Sequence, residues 1–546
     1  MSPEPAPSPA GDLPPAEAVL GQLLPAFDGS EPPAWLLDRI AAGQAHGVTL
    51  FLRANAAGAD ALAGLTRLLH EAARGELPLL IGADQEGGQL VGLGHETTRF
   101  PGAMALGAAD DPDLTEAVGR ATGAELRALG ITVNYAPVCD VAVEPGNVSL
   151  GTRAFGAQAD LVARHAAAMV RGLQAGGVVA TPKHFPGFGA VDVDPHYELA
   201  AIDRDEEALE ARELVPFRAA FEAGASMVMS GHVALPALTG DRALPATVSR
   251  VVMHGLLRER LGFSGVSLTD AMDMKAVAQG TGGVIDSIMA LRADVDLLLM
   301  TPDRAAQQRL EEGLRQAALR GLVAADSVRS SVGRILALRR WLGSFGWPPR
   351  EVVRSEAHRE LARQAARAAL TLVRDEAGLL PLRLDEGQQL LVVTPQPREL
   401  TPADSSADEP LALAEALRRH HHAVRELRLA AEPSEREIAG AREAAAAAAC
   451  AVVVTLAADV QPAQARLVEA ILETGTPTVT VAMRTPYDLG TYPRSATHLC
   501  SYAIVPPSVG AVADALVGAI PVSGRLPVAI PGLYPQGHGL EVAQWP

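Results

Sequence analysis

The stretch GVSLTDAMDM, residues 265–274, runs from an apolar segment straight into a carboxylate, Asp270, held between the small residues Thr269 and Ala271. The same pattern recurs along the chain. Apolar runs at 48–53, 77–83, 131–137, 177–182, 226–231, 265–270 and 294–300 read as strands, and amphipathic patterns such as DEEALEARELVPFRAAFEAG (205–224) lie between them. Strands that are apolar throughout and separated by helices belong to a buried parallel sheet. Seven or eight such units in roughly 300 residues predict a (β/α)8 TIM-like barrel.

The polar residues of this region gather just beyond the C-terminal ends of the strands. Asp84 to Glu86 follow one, Lys183 and His184 another, His232 a third and Asp270 a fourth. That rim is where α/β barrels build active sites. Capping of the following helices explains any single Asp but not the set. Taken alone, Asp270 suits a metal ligand, a general base, a nucleophile or a helix cap.

A second α/β alternation follows the basic, aromatic segment RILALRRWLGSFGWPPR (334–350). A helix is expected from Ser355, its N-cap, to about Arg374, with GLLPL (378–382) as the rest of a connector. Five strands are expected at 389–395, 423–430, 450–457, 476–483 and 498–504, forming an open, mostly parallel sheet covered by helices, an αβα sandwich. The expected division is a disordered tail at 1–15, a barrel at 16–345, a helical connector at 346–385 and the smaller α/β domain at 386–546.

With 546 residues, 48% hydrophobic and 20% charged, the chain is long enough for more than one core. Its net charge of −18 argues against holding nucleic acid or an anionic membrane surface by bulk electrostatics, and leaves small neutral ligands open. The three cysteines sit in apolar runs without CxxC spacing, and the Pro- and Ala-rich N-terminus lacks a basic segment followed by an apolar one. These features predict a soluble, cytoplasmic protein. HHH at 420–422 lacks spaced acidic partners, and GTGG at 280–283 is a flexible stretch without the strand–turn–helix setting of a phosphate loop, so neither metal nor cofactor is expected. Of the 46 basic residues only two are Lys, Lys183 and Lys275. In an Arg-rich chain, a remaining Lys marks a place where a compact ammonium serves better than a planar guanidinium.

The segments ADQEGGQL (83–90), NYAPVCDV (134–141), LGTRAFG (150–156), KHFPGFG (183–189), DPH (194–196), SGHVALPAL (230–238) and LLRERLGFSGVSLTDAMDM (256–274) occur in this order. Together they resemble the family 3 glycoside hydrolases, and within them the bacterial exo-acting β-N-acetylglucosaminidases of the two-domain type. The resemblance continues through AARAALTLVRDEAGLLPL (365–382), RTPYDL (484–489) and GRLPVAI (524–530). It implies a retaining double displacement in which Asp270 is the nucleophile. The acid/base is then His196, paired with Asp194 two residues earlier. A His whose ordinary pKa is about 6.5 can give and take a proton near neutrality, and the carboxylate would orient it. Asp84, Arg153, Lys183 and His184 would hold the hydroxyls of the non-reducing sugar, while Asp140 and His232 read as structural hydrogen-bonding groups beneath the rim.

The chain departs from the family pattern at several positions. Gln89 and Gly92 stand where two Arg are usual, one of which would be expected to touch the sugar. In the histidine loop Phe188, Val191 and Pro195 replace His, Thr and Ser, and Pro195 stiffens the backbone at Asp194. The resulting expectation is a cytoplasmic exo-glycosidase releasing terminal β-N-acetylglucosamine (GlcNAc) from small cell-wall or chitin-derived fragments. The alternatives are a phosphorylase releasing GlcNAc-1-phosphate, or a degenerate sugar-binding protein.

Overall fold

Eight short, apolar parallel strands bring the polar residues of the N-terminal region to one end of the fold. The computed structural model describes residues 13–55, 58–73, 77–191, 197–277 and 280–543. These strands are β1 (Leu23–Leu24), β2 (Gly47–Thr49), β3 (Leu80–Ala83), β4 (Val133–Asn134), β5 (Val179–Ala180), β6 (Met227–Ser230), β7 (Val266–Thr269) and β8 (Leu298–Leu299). β2–β3–β4–β5 form a four-stranded sheet, β6 pairs with β7, and β1 pairs with β8, all in parallel register. Six of these lie within the expected runs, and β2 overlaps the run 48–53 but starts one residue earlier, at Gly47. β1 was not expected, because two leucines between turn-forming residues give no run from which a strand can be read; it registers Leu23 against Leu298.

Helices separate the strands. The helix Pro112–Ala128 begins with Asp111 accepting from the Leu114 amide at 3.0 Å, and Pro112 occupies its first turn, where no donor is missed. It packs on Ala159–Ala175 through glycines: a Cβ on Gly123 would sit 2.6 Å from the Leu173 carbonyl oxygen, and one on Gly172 would sit 2.3 Å from that of Glu116. Gly282 and Gly283, expected in a flexible stretch, lie inside the helix Thr281–Arg292.

The C-terminal region carries a six-stranded sheet. Its strands are β9 (Thr371–Asp375), β10 (Leu390–Pro395), β11 (Val424–Leu429), β12 (Cys450–Thr455), β13 (Thr478–Ala482) and β14 (Thr497–Cys500), ordered β9–β14–β13–β12–β10–β11. All pairs are parallel except β9 with β14. The helix capped by Ser355, which accepts from the His358 amide at 3.3 Å, ends at Ala369 rather than near Arg374. Residues 371–375 form the antiparallel edge strand instead, since Leu372 and Val373 gain burial and a partner in Leu499 and its neighbours.

The segment leading into that helix is latched to the N-terminal region by one buried carboxylate. Glu125 accepts from the Thr98 amide (2.7 Å) and hydroxyl (2.6 Å), the Arg354 amide (3.0 Å) and His358 Nδ1 (2.7 Å). Glu125→Ala strands the buried Thr98 amide and hydroxyl and frees the partly buried Arg354 amide and His358 ring. It is expected to lower unfolding stability by about 2–4 kcal/mol, read as a fall in the urea midpoint, while Glu116→Ala on the exposed face of the same helix changes it little.

Candidate active site

The C-terminal ends of β3, β5, β6 and β7 open onto a cavity of about 490 Å³. Asp84 follows β3, Lys183 and His184 lie just past β5, Gly231 and His232 follow β6, and Asp270 follows β7. Arg153 enters from the turn Gly151–Arg153. All five residues Asp84, Arg153, Lys183, His184 and Asp270 therefore line one pocket; four of them belong to the rim pattern of the sequence, and Arg153 is implied only by the family resemblance. Asp194 and His196 lie outside the described residues.

On the floor of the pocket, charges are paired rather than loose. Lys183 Nζ sits 2.5 Å from Asp84 Oδ1 and 2.7 Å from Glu86 Oε1. Arg153 grips Glu86 bidentately, Nε to Oε2 at 2.9 Å and Nη2 to Oε1 at 2.8 Å. From the sequence Glu86 is one of the polar residues at the rim with no role of its own, yet it joins both cations. Burial by itself would raise the Glu86 pKa, but the adjoining Arg153 and Lys183 pull it down to about 2. Burial would likewise lower that of Lys183, and Asp84 and Glu86 reverse this, so its ammonium holds its proton more tightly than an exposed one. A compact ammonium bridging two carboxylates fits the survival of Lys at this position.

His184 is held from behind. Its Nδ1 donates to Asp140 Oδ2 at 2.7 Å, leaving Nε2 as the acceptor of a long contact from Arg153 Nη2 at 3.4 Å. Asp140, fully buried, also accepts from the Phe188 amide at 2.9 Å and does not reach the pocket. Phe188 closes over His184 with ring centroids 4.6 Å apart. His232 donates from Nε2 to the Ala271 carbonyl at 3.1 Å and meets the Thr247 hydroxyl through Nδ1 at 2.9 Å. Burial lowers its pKa despite nearby Asp270, so the neutral ring is a fixed strut beside that carboxylate.

Asp270 is anchored through its own backbone. Its amide donates to the Ser230 carbonyl at 3.0 Å, and Oδ1 accepts from the Ala271 amide at 2.8 Å. This ties the carboxylate to the tops of β6 and β7 and orients it toward the pocket. The cavity is further lined by Tyr197, which is 57% exposed, by Asp273 and Met274, and by Glu399 and Pro402–Ser405 from the C-terminal region. Among the described residues no cluster of His, Cys, Asp and Glu has the makings of a metal site.

The chain matches the Glycosyl hydrolase family 3 N terminal domain over residues 33–338 and the Glycosyl hydrolase family 3 C-terminal domain over 370–536. It belongs to glycosyl hydrolase family 3. A protein named Beta-hexosaminidase A from Pseudoalteromonas piscicida is 30% identical over 521 residues, covering 85% of this chain and 86% of that one. A Beta-N-acetylglucosaminidase/beta-glucosidase from Cellulomonas fimi is 34% identical over 351 residues, 61% of this chain and 60% of its own. Among solved structures, a glycoside hydrolase family 3 beta-N-acetylglucosaminidase from Paenibacillus sp. str. FPU-7 superposes with a TM-score of 0.89 at 33% identity, covering 95% of this chain and 99% of that one. This family 3 member is thus a two-domain α/β glycoside hydrolase.

Glu86→Gln keeps the shape and removes the charge that separates Arg153 from Lys183. The expected outcome is a fall of about 10- to 100-fold in kcat/KM, carried mainly by a higher KM, with an unchanged pH optimum. Because folding depresses this carboxyl from 4.5 to about 2, its stabilisation is complete above pH 4.5 and is lost as pH falls toward 2. Acid titration of wild type should therefore lose stability more steeply below pH about 4.5 than that of Glu86→Gln.

Proposed function

We propose that this chain is an exo-acting β-N-acetylglucosaminidase that removes terminal GlcNAc from small cell-wall or chitin-derived fragments by a retaining mechanism. The observation that carries the reading is the joint presentation, in one pocket, of Asp270 on two strand tops and the Asp84–Lys183–Glu86–Arg153 array beside it. The names of the relatives support the sugar. Asp84, Arg153, Lys183 and His184 offer charge-assisted hydrogen bonds to the hydroxyls of the terminal ring. Asp270 attacks the anomeric carbon as the glycosidic C–O bond breaks, and the leaving oxygen takes a proton from His196. A water then gives its proton back to His196 and displaces Asp270, so the sugar leaves with its original β configuration. Asp194 orients His196 in both steps.

The same reading takes residues 16–345 as a (β/α)8 TIM-like barrel and 386–546 as an αβα sandwich, joined by 346–385, a connector whose Thr371–Asp375 segment is already the edge strand β9 of the sandwich sheet. Supporting the barrel, Thr49 N donates to the Pro25 carbonyl at 2.9 Å beside β1, Met229 N of β6 to that of Pro182 at 3.0 Å, and Thr269 N of β7 to that of Leu297 at 3.0 Å. No helix among the described residues is long and apolar enough to cross a membrane. The proposed setting is the cytoplasm.

On 4-nitrophenyl β-GlcNAc, Asp270→Ala is expected to lose about 1,000-fold or more of kcat, and a variant as fast as wild type overturns the assignment. His196→Gln should lose about 100- to 10,000-fold on chitobiose, which needs a protonated leaving group, and far less on a dinitrophenyl glycoside, which does not. Free GlcNAc should be the product with or without phosphate; GlcNAc-1-phosphate as the main product would favour phosphorolysis.

A further inference from the structure

Where family 3 proteins usually carry an Arg, Gln89 does something other than touch sugar. The strands Gln85–Gly87 and Leu90–Val91 form a small hairpin directly after Asp84, and the Gly92 amide returns to the Asp84 carbonyl at 2.8 Å. A loop of the second domain, residues 401–406, is fastened to this hairpin. Val91 N donates to Ser405 Oγ at 2.9 Å, and Ser405 N donates to the Gln89 carbonyl at 2.9 Å. The buried Gln89 amide completes the clasp, with Nε2 donating to the Ala403 carbonyl at 3.3 Å. Its Oε1 accepts from the Thr152 amide at 3.1 Å and hydroxyl at 3.3 Å, one residue before Arg153.

The far side of the loop is equally fixed. Buried Asp404 accepts from Arg484 Nη2 at 2.5 Å, from the Leu400 amide at 3.0 Å and from the Ser406 amide at 2.9 Å. An Arg at position 89 has donors only and would leave both Thr152 donors without an acceptor; a Gln amide both donates and accepts. The residue suits holding two domains together and does not suit gripping a hydroxyl from the pocket.

We propose that loop 401–406 is a rigid wall closing the sugar-holding end of the pocket beside Asp84, and that Gln89 is the positioning residue that sets it there. Pro402, Ala403 and Ser405 line the cavity next to Gly92 and Asp84. A terminal ring fits between this wall and Asp270. A ring extended by a further sugar at that end collides with the second domain. The wall therefore enforces exo action and fixes which stereochemistry of the outer hydroxyls is accepted. This deepens the β-N-acetylglucosaminidase reading above and rests on it.

Gln89→Met, which keeps size without polarity, and Ser405→Ala are tested in the full chain on 4-nitrophenyl glycosides of GlcNAc, of its 4-epimer GalNAc, and of di-N-acetylchitobiose. Wild type is expected to release GlcNAc first from the disaccharide glycoside, with a lag before nitrophenol. In both variants the GlcNAc-to-GalNAc ratio of kcat/KM should fall about fivefold or more, and chitobiose should appear as a direct product. The ratio is read within each preparation, so partial misfolding does not move it. Ratio and products unchanged in both variants, with wild type active on the GlcNAc glycoside, overturn the wall alone. A wild type inert on that glycoside overturns the parent reading and the wall with it.

Discussion

Glu86 is the constraint on which the site depends. Two cations, Arg153 and Lys183, stand side by side on the pocket floor, both within 2.8 Å of the same carboxylate oxygen. At an effective dielectric of about 20, unit charges about 4 Å apart interact by roughly 4 kcal/mol, so the unneutralised pair would repel on that scale. With Glu86 between them and Asp84 on the open side of Lys183, these four side chains sum to no net charge. In the mechanism proposed above, Asp270 then supplies the negative charge that matters for a transition state in which the sugar becomes cationic. A neutral sugar meets donors and acceptors already oriented, and no buried charge has to find a partner when it arrives.

Much of this was legible in the sequence, and the reason is periodicity. Apolar runs broken by a polar residue at their ends report both a buried strand and the place where it surfaces, which is why Asp84, Lys183, His184, His232 and Asp270 could be assigned to one rim before any coordinates. The charge partner of a residue is not periodic. Glu86 meets Arg153 across 67 positions, and only folding brings them together. The two-residue strand at Leu23–Leu24 and the edge strand Thr371–Asp375 escaped for a related reason: both exist because a distant strand offers hydrogen bonds, against weak or opposite local preference. Gln89 shows the converse. Its departure from the family pattern was visible, but its meaning lay in a loop more than three hundred positions away.

The second domain is therefore part of the pocket rather than an appendage. Glu125 latches the connector from behind, an ion pair between Arg99 and Glu409 joins the domains near the hairpin, and backbone bonds from Ala157 to Pro527 and from Arg525 to Ala108 add a further seam. Asp270 and loop 402–405, which line the same pocket, come from different domains, so changes in either domain bear on the same cavity.

Lys183 carries one more implication, for handling the protein rather than for its chemistry. The chain has only two lysines, and Lys183 is buried and held protonated between carboxylates, out of reach of amine-directed reagents. Lys275 is the exposed one, its ammonium 5.6 Å from the Tyr197 ring at the pocket mouth. Among lysines, coupling this protein to an activated resin or dye would thus attach it beside its own entrance, and immobilisation through a carboxylate or an engineered surface group on the opposite face would leave that entrance clear.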